Sequence, residues 1–398
     1  MIYFYTSKVV WGIYMQPSNG IIYEFFIFCF KVASLLMRHK AHLKGKEYLK
    51  KIPHLVIFAP THDSYFEVPS LSKVYYSLKP RPHFVVMAKK DFLSGNYLAS
   101  NFGGKNKLLY YFFYFLDKTG LPKAFFKKMK LIGIPRPFIE DFDNKSQVKH
   151  EIHAQMIKFK HSIHSGFSTL IFPEGTTWSF GGLKNLRSGI FQLVDSTYRH
   201  FRQKLYILPI NVKVDRCITG KKDIFINVGE PFFMLGDKEN FLDRVSEILK
   251  SLHTITFSQI AATYLQRMAM AVEHIDKAIV LKKEELASQL DTIINDINVL
   301  VKEGKLPSID EYLLDSNYRH KKLKRFLKFC IKKGYIEKID GYYMINVQRV
   351  LASFHIKSYR KENPVGFTAN EFLSINYNCI MTIYEKYCNT YKVSTPIR

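Results

Sequence analysis

Short apolar runs alternate with longer amphipathic or loop segments between residues 51 and 235 of the chain. The runs are rich in β-branched and aromatic residues, which is typical of strands. Strands that alternate with helical stretches indicate a sheet covered by helices. The pattern therefore predicts an α/β domain with a mixed β-sheet, with strands at residues 55–59, 84–88, 130–134, 168–172, 205–214 and 224–228.

The C-terminal part of the chain has a different pattern. Residues 240–303 place apolar residues at helical spacing and contain no proline, so we expect helices there. Residues 318–350 read as a helix followed by a hairpin, because Asp340 and Gly341 form a two-residue turn sequence between two aromatic-rich runs. This order predicts a helical C-terminal region with a winged-helix-like part.

The N-terminal residues are aromatic at first and become basic towards residue 50. The most apolar stretch, residues 21–37, carries Glu24 and Lys31 and is barely long enough to cross a bilayer. We expect an interfacial helix there rather than a spanning one. The chain is thus predicted to divide into a membrane-interface segment, a central α/β domain and a helical C-terminal region, at residues 1–50, 51–240 and 241–398.

Charge adds a partner to this picture. The 398 residues include 59 lysines and arginines against 34 aspartates and glutamates, which gives a net charge of +25. Such an excess implies an anionic partner, which can be nucleic acid, an anionic membrane surface, or a phosphorylated or CoA-bearing substrate. The five cysteines form no C-x-x-C pair, which argues against a zinc ribbon or a redox dithiol. No cluster has metal-ligand spacing, so we expect neither a metal nor a bound cofactor.

The basic excess is concentrated in residues 79–136, which contain twelve lysines and arginines but only two acidic residues, both aspartates. Residues 110–115 form an unbroken aromatic run inside this segment. Aromatic side chains interleaved with lysines favour the bilayer interface. An aromatic core helix with a solvated basic face is the alternative interpretation.

The first candidate for chemistry is His62, which directly follows the predicted strand at residues 55–59. Glu67 lies five positions further on and can accept a hydrogen bond from one imidazole nitrogen, so that the other nitrogen can take a proton from a hydroxyl. Asp63 is the second carboxylate in reach by sequence. A coincidental surface pair of histidine and glutamate remains the alternative for this motif alone.

Further candidates lie at the ends of other predicted strands. The strand at residues 168–172 runs into Pro173-Glu174-Gly175-Thr176, a tight loop that exposes backbone amides. A simple turn is the alternative. The strand at residues 130–134 contains Gly133 and is followed by Arg136, whose planar guanidinium suits a phosphate, with an ordinary surface arginine as the alternative.

These motifs, in this order, resemble the four blocks of the glycerolipid acyltransferases, which include the glycerol-3-phosphate and 1-acylglycerol-3-phosphate O-acyltransferases. The third block, Phe-Pro-Glu-Gly-Thr, is matched in full and is the most specific. The resemblance covers roughly residues 50–235. The blocks are matched by Pro60, His62 and Glu67, by Gly133 and Arg136, by residues 172–176, and by Pro209.

The sequence also departs from the family pattern. Glu67 stands where the family has an aspartate, and the extra methylene adds roughly 1.5 Å of reach. Thr177 stands where many members have an arginine after the third block. Arg187 lies shortly before a glycine, where the family usually has a basic residue. Either the phosphate contact of that arginine is absent, or Arg187 or Lys184 supplies it.

The resemblance implies a membrane-associated O-acyltransferase that moves a fatty acyl group from acyl-CoA or acyl carrier protein to glycerol 3-phosphate or lysophosphatidate in phospholipid biosynthesis. It implies a position on the cytoplasmic face of a membrane with anionic lipids. His62 would act as the base and Glu67 would orient it. The implied substrate-binding residues are Gly133, Arg136, Glu174, Gly175, Thr176 and Arg187.

A non-enzymatic protein is the competing class. In that interpretation the acyltransferase-like domain has decayed, and the chain acts as a membrane- or nucleic-acid-binding module. In that case the basic residues of the predicted helix near residue 320 would bind the phosphates of a nucleic acid, although nucleic acid is the less favoured partner. These basic residues are Lys321, Lys322, Lys324, Arg325, Lys328, Lys332 and Lys333.

Overall fold

The structure is a computed structural model with two regions. The first is a sheet covered by helices, and the second is a helical C-terminal region with a small sheet. The structure describes residues 20–62, 68–79, 81–82, 84–89, 99, 107–120, 123–124, 131–134, 145–175, 180–272, 279–355 and 359–391. Glu67, Arg136 and Thr176, which the sequence proposes as site residues, lie outside these ranges, as does Asp63.

A mixed sheet forms the centre of the first region, as predicted. Within the described residues it has seven strands in the order β1-β7-β6-β2-β5-β3-β4. All neighbouring strands are parallel except β6 and β7. The strands are β1 (His39–Lys44), β2 (Val56–Pro60), β3 (Phe84–Lys89), β4 (Leu131–Ile134), β5 (Ser168–Leu170), β6 (Tyr206–Val214) and β7 (Lys222–Val228).

Strand β2 is apolar along its whole length because both faces of the sheet are covered. Its successive side chains point to opposite faces. Val56 and Phe58 join the core beneath the N-terminal helices, whereas Ile57 and Ala59 join the core beneath the helices on the other face. These two cores place β2 in the interior, so that its C-terminal end opens at the middle of one sheet edge.

Helices cover both faces of the sheet. The first face is covered by α1 (Gly20–Leu36) and α2 (Ser72–Ser77), and the second by α4 (Lys145–His164), α5 (Gly189–Phe201) and α6 (Lys238–Ser251). Helix α3 (Lys107–Lys118) precedes β4 in the chain.

The N-terminal residues contribute a helix and an edge strand to the first region. Strand β1, which lies within the predicted membrane-interface segment, pairs with β7 as an edge strand. Helix α1 confirms the helix expected over residues 21–37, and it exposes Phe25, Phe28, Leu35 and Leu36. No helix in the described part of the chain is long and apolar enough to cross a bilayer.

The C-terminal region is helical with a small sheet, as predicted. The order α7-β8-α8-α9-β9-β10 is that of a winged helix, and the sheet order is β8-β10-β9. Asp340 and Gly341 both adopt positive φ between β9 and β10, as a two-residue hairpin turn requires. The elements are α7 (Phe257–Val272), β8 (Ile279–Lys282), α8 (Lys283–Lys302), α9 (Ser316–Lys332), β9 (Ile336–Ile339), β10 (Tyr342–Ile345), α10 (Val347–Leu351), α11 (Tyr359–Glu362), α12 (Pro364–Leu373) and α13 (Tyr377–Tyr391).

One part of the helical prediction was wrong, because residues 279–282 form strand β8 and not helix. The segment Ile-Val-Leu-Lys alternates buried and exposed side chains and pairs with β10. A partner strand distant in the chain thus decides the conformation of a short segment whose own periodicity is ambiguous.

Buried charges join the two regions. Lys322 of α9 is only 1% exposed and forms ion pairs with Asp215 and Asp223, which lie at the ends of β6 and β7. Asp223 also lies 2.9 Å from His42 Nε2 of β1. Although burial opposes it, the hydrogen bond from His42 and the charge of Lys322 lower the pKa of Asp223. Lys322 is therefore not part of an open phosphate-binding surface, which corrects the footprint expected on this helix.

Candidate active site

The end of β2 is tied firmly to β6. The backbone N–H of Thr61 donates to the carbonyl oxygen of Ile210 at 2.9 Å. The Thr61 hydroxyl oxygen in turn accepts from the backbone N–H of Val212 at 2.9 Å. Because both residues of β6 are buried, these bonds fix the backbone at the point where the chain leaves the sheet.

His62 follows Thr61 and meets the loop of the third motif. Its backbone N–H donates to Glu174 Oε1 at 2.7 Å. Its ring lies 4.2 Å from the ring of Phe172, measured between centroids. His62 is buried, so packing and hydrogen bonding hold it at the C-terminal end of the central strand.

Glu174 bridges two loops with its carboxylate. Oε1 accepts from His62, and Oε2 accepts from the backbone N–H of Lys184 at 3.1 Å. The residue is 2% exposed, so these charge-assisted hydrogen bonds form away from bulk water. Glu174 thus fastens the loop that carries His62 to the loop that follows β5.

Gly175 and Arg187 also come together here. The backbone N–H of Gly175 donates to the Phe172 carbonyl at 2.9 Å, and that of Arg187 donates to the Pro173 carbonyl at 2.8 Å. Gly175 has φ of 72°, and a Cβ there would lie 2.9 Å from Arg187 Cγ. Burial, together with the charge of Arg187, lowers the pKa of nearby Lys184. The Arg187 side chain therefore borders the loop, and its role in binding a phosphate stays a prediction.

Gly133 lies further along the same edge. It is buried in β4 and pairs with Ala88 of β3. Strands β5 and β3 separate β4 from β2, a distance of about 14 Å at the usual strand spacing. Because β2, β5, β3 and β4 are parallel, their C-terminal ends share one edge. The roles of Glu67, Arg136 and Thr176 stay predictions, because these residues lie outside the described ranges.

A cavity of about 80 Å³ opens beside His62 and Glu174. Sequence reasoning missed most of its polar lining. Two members had a visible signal, because Asn211 and Lys213 interrupt the otherwise apolar run of β6. The others lie far along the chain. The lining consists of Thr61, His62, Glu174, Gly182, Leu183, Asn211, Lys213, Lys250, His253, Glu371, Ser374 and Ile375.

Lys213 and Glu371 form a buried ion pair at this cavity, with Nζ and Oε1 2.6 Å apart. The second carboxylate oxygen of Glu371 accepts from Gln259 Nε2 at 3.0 Å. The same Gln259 amide nitrogen lies 3.0 Å from His253 Nε2. Residues of β6, α7 and α12 are therefore linked in one polar network. In the described ranges, no group of three histidine, cysteine or acidic side chains is arranged to hold a metal ion.

Helix α12 is also in direct contact with the loop after the third motif. Cβ atoms at Gly181 and Gly182 would lie 2.6 Å from the Phe367 carbonyl and 2.3 Å from Ser374 Oγ. The Asn370 side-chain amide donates to the Phe180 carbonyl at 3.1 Å. Both glycines have positive φ, so this close approach needs glycine for space and for conformation.

The sheet, the histidine after its central strand and the Phe-Pro-Glu-Gly loop define an α/β domain of the acyltransferase class. The family model described as Acyltransferase matches residues 40–213. Residues 40–213 therefore form an acyltransferase-family domain, and the family predicted from the four motifs is confirmed for this domain.

Comparison with individual proteins adds less. The chain is similar to the crystal structure of the 1-acyl-sn-glycerophosphate (LPA) acyltransferase PlsC from Thermotoga maritima, at 11% identity and a TM-score of 0.38. The similarity covers 59% of this chain and 81% of that one. No curated protein matches the sequence.

Proposed function

We propose that this protein is a membrane-associated O-acyltransferase that transfers a fatty acyl group from a thioester to a hydroxyl of glycerol 3-phosphate or lysophosphatidate. The donor is acyl-CoA or acyl carrier protein. The observation that carries the proposal is the position of His62, buried at the end of β2 and held by Glu174 of the third motif.

In this mechanism His62 takes the proton from the acceptor hydroxyl while that oxygen attacks the thioester carbonyl. Collapse of the tetrahedral intermediate breaks the carbon–sulfur bond, and His62 returns the proton to the departing thiolate. A positioned base of this kind contributes about 10²- to 10⁴-fold to the rate. Glu67 is expected to orient the imidazole, and Arg136 and Arg187 to hold the acceptor phosphate.

Two helices support an association with membranes. Helix α1 exposes Phe25 and Phe28, and α3 exposes Tyr111 and Phe115. Lys118 lies on α3 within the segment of concentrated basic charge. Aromatic side chains insert at the bilayer interface, and each basic residue close to an anionic leaflet contributes about 1 kcal/mol. The proposed location is therefore the cytoplasmic face of a membrane.

The nucleic-acid alternative has less support than the sequence alone allowed. Lys322 of α9 is buried in ion pairs, and Arg325 donates to the carbonyl oxygens of Thr219 and Lys221. The face of α9 that bears these two residues lies against the first region. Salt-dependent binding to duplex DNA, compared with thioester release by the same protein, separates the two classes.

The test is an acceptor panel with one acyl-CoA, followed by mass spectrometry of the products. The panel contains glycerol 3-phosphate, lysophosphatidate, glycerol and monoacylglycerol. We expect acylated products from the phosphate-bearing acceptors, and in the Arg136→Ala variant a loss of about tenfold or more in kcat/KM for these acceptors. A preference of the wild type for phosphate-free acceptors, or acylation of no acceptor, would contradict the proposal.

A further inference from the structure

The cavity beside His62 is completed by residues that follow the matched family domain. One wall comes from the end of β2 and from Asn211 and Lys213 of β6. Another comes from Glu371 at the end of α12 and from Ser374 and Ile375 after it. The family domain ends at residue 213, so the domain alone leaves this cavity open on one side.

The C-terminal wall is held in place at two points. The ion pair between Lys213 and Glu371 joins β6 to α12, with both side chains buried. Gly181 and Gly182 allow the loop after the third motif to pack directly against α12. A wall fixed on both the sheet and this loop belongs to the site, and it is not a loosely attached neighbour.

Asn211 lines the cavity and carries a buried hydrogen-bond acceptor. The residue is 3% exposed, and its Nδ2 donates to the Leu249 carbonyl at 2.7 Å. Its Oδ1 is buried and has no hydrogen-bond partner among the residues that the structure describes. A buried acceptor needs a donor. The oxygens of a phosphate dianion only accept hydrogen bonds, whereas a hydroxyl group can donate one.

Two of the charged side chains at the cavity, Lys213 and Glu174, have partners within the protein. The charge of Lys213 is balanced by Glu371, and both carboxylate oxygens of Glu174 accept from backbone N–H groups. The volume of about 80 Å³ is several times what one water molecule needs, so a small hydroxylated group also has room there.

We propose that this cavity binds the glycerol moiety of the acyl acceptor and that Asn211 accepts a hydrogen bond from one of its hydroxyls. Glu371 is a positioning residue that holds Lys213 beside the bound glycerol. The C-terminal region thereby completes the acceptor site. This inference rests on the proposed function, and it names residues that select the acceptor.

The test compares Asn211→Ala with a matched control, Asn227→Ala. Asn227 is the cross-strand partner of Asn211 on β7, and its amide likewise donates to a main-chain carbonyl, that of Leu252 at 2.6 Å. Asn227 does not line the cavity. Binding of glycerol 3-phosphate and of inorganic phosphate is measured by titration calorimetry, and thermal unfolding is recorded for each protein.

We expect Asn211→Ala to weaken glycerol 3-phosphate binding about three- to tenfold, the usual net effect of one hydrogen bond. Its binding of inorganic phosphate should be unchanged, and Asn227→Ala should bind both ligands as the wild type does. In turnover, Asn211→Ala should raise KM for the acceptor and leave KM for the acyl donor unchanged. Equal affinities of the two variants for glycerol 3-phosphate would overturn the inference, and so would a wild type that binds none.

A second variant keeps the test decisive if Asn211→Ala does not fold. Ile375→Phe places a larger side chain in the C-terminal wall and so reduces the space in the cavity, while β6 is unchanged. It should weaken glycerol 3-phosphate binding too, and wild-type affinity would show that this wall does not border the ligand. A different result would refute the proposed function itself, namely a wild type that binds the acceptor but transfers no acyl group to it. Transfer activity with equal acceptor KM in Asn211→Ala and Asn227→Ala would refute only this inference.

Discussion

Removing one partner of the Lys213–Glu371 ion pair should destabilise the protein far more than removing an exposed pair. Lys213 and Glu371 are 7% and 2% exposed at their side chains and lie 2.6 Å apart. In Glu371→Leu the Lys213 ammonium loses its ion pair with Glu371 while it stays buried. Breaking a buried pair in this way costs about 3–5 kcal/mol of unfolding free energy.

The exposed pair between Arg244 and Glu247 is the matched control. Its atoms are 3.4 Å apart, and both side chains are largely exposed. Such pairs contribute about 0–1 kcal/mol, so Arg244→Met should change stability little. Urea unfolding followed by circular dichroism measures both variants against the wild type.

The double variant Lys213→Met/Glu371→Leu sharpens this comparison. It removes both charges and fills the space with apolar side chains, so it should recover much of the lost stability. If Glu371→Leu costs no more than Arg244→Met, or if the double variant is less stable than either single one, the buried pair does not hold α12 to β6 as described.

Three further predictions follow from individual contacts. Glu174→Gln should lower turnover about tenfold or more with little effect on the donor KM, because an amide offers one acceptor oxygen for two backbone donors; unchanged kcat would contradict it. Burial raises the pKa of Asp310 to about 6, because the folded state favours the protonated carboxyl. The free energy of unfolding should therefore be highest below pH 4 and should fall as pH rises through 6. Asp310→Asn should remove that decline of about 2–3 kcal/mol in pH-dependent urea unfolding. The protein should sediment with anionic liposomes, and Tyr111→Ala/Phe115→Ala should reduce the fraction that resists high salt; equal sedimentation with neutral vesicles would contradict the electrostatic part.

The central strands could be predicted because they are continuous apolar runs. Strand β2 was expected at residues 55–59 and is found at Val56–Pro60, and β6 was expected at residues 205–214 and is found at Tyr206–Val214. Strand β1 was missed because His-Lys-Ala-His-Leu-Lys reads as a basic polar segment. It pairs on one side only, at the sheet edge, where polar side chains are accommodated.

The candidate site could be predicted only where its residues follow strands. His62 and Glu174 come directly after runs that enter the parallel sheet, so their proximity follows from the topology. Glu371 could not be found, because it lies 158 residues from Lys213 and in a helix with no motif around it. Their contact depends on how the C-terminal region packs against the sheet, which no local pattern encodes.

The proposed reaction depends on one base, and its removal is the most direct test. Acyl transfer from acyl-CoA to glycerol 3-phosphate is compared in the wild type, in His62→Ala and in His54→Ala, an exposed histidine outside the cavity. The account predicts that His62→Ala loses about 10²-fold or more in kcat while its unfolding transition is retained, and that His54→Ala keeps wild-type turnover. Turnover by a folded His62→Ala at the wild-type rate would contradict the assignment of His62 as the base.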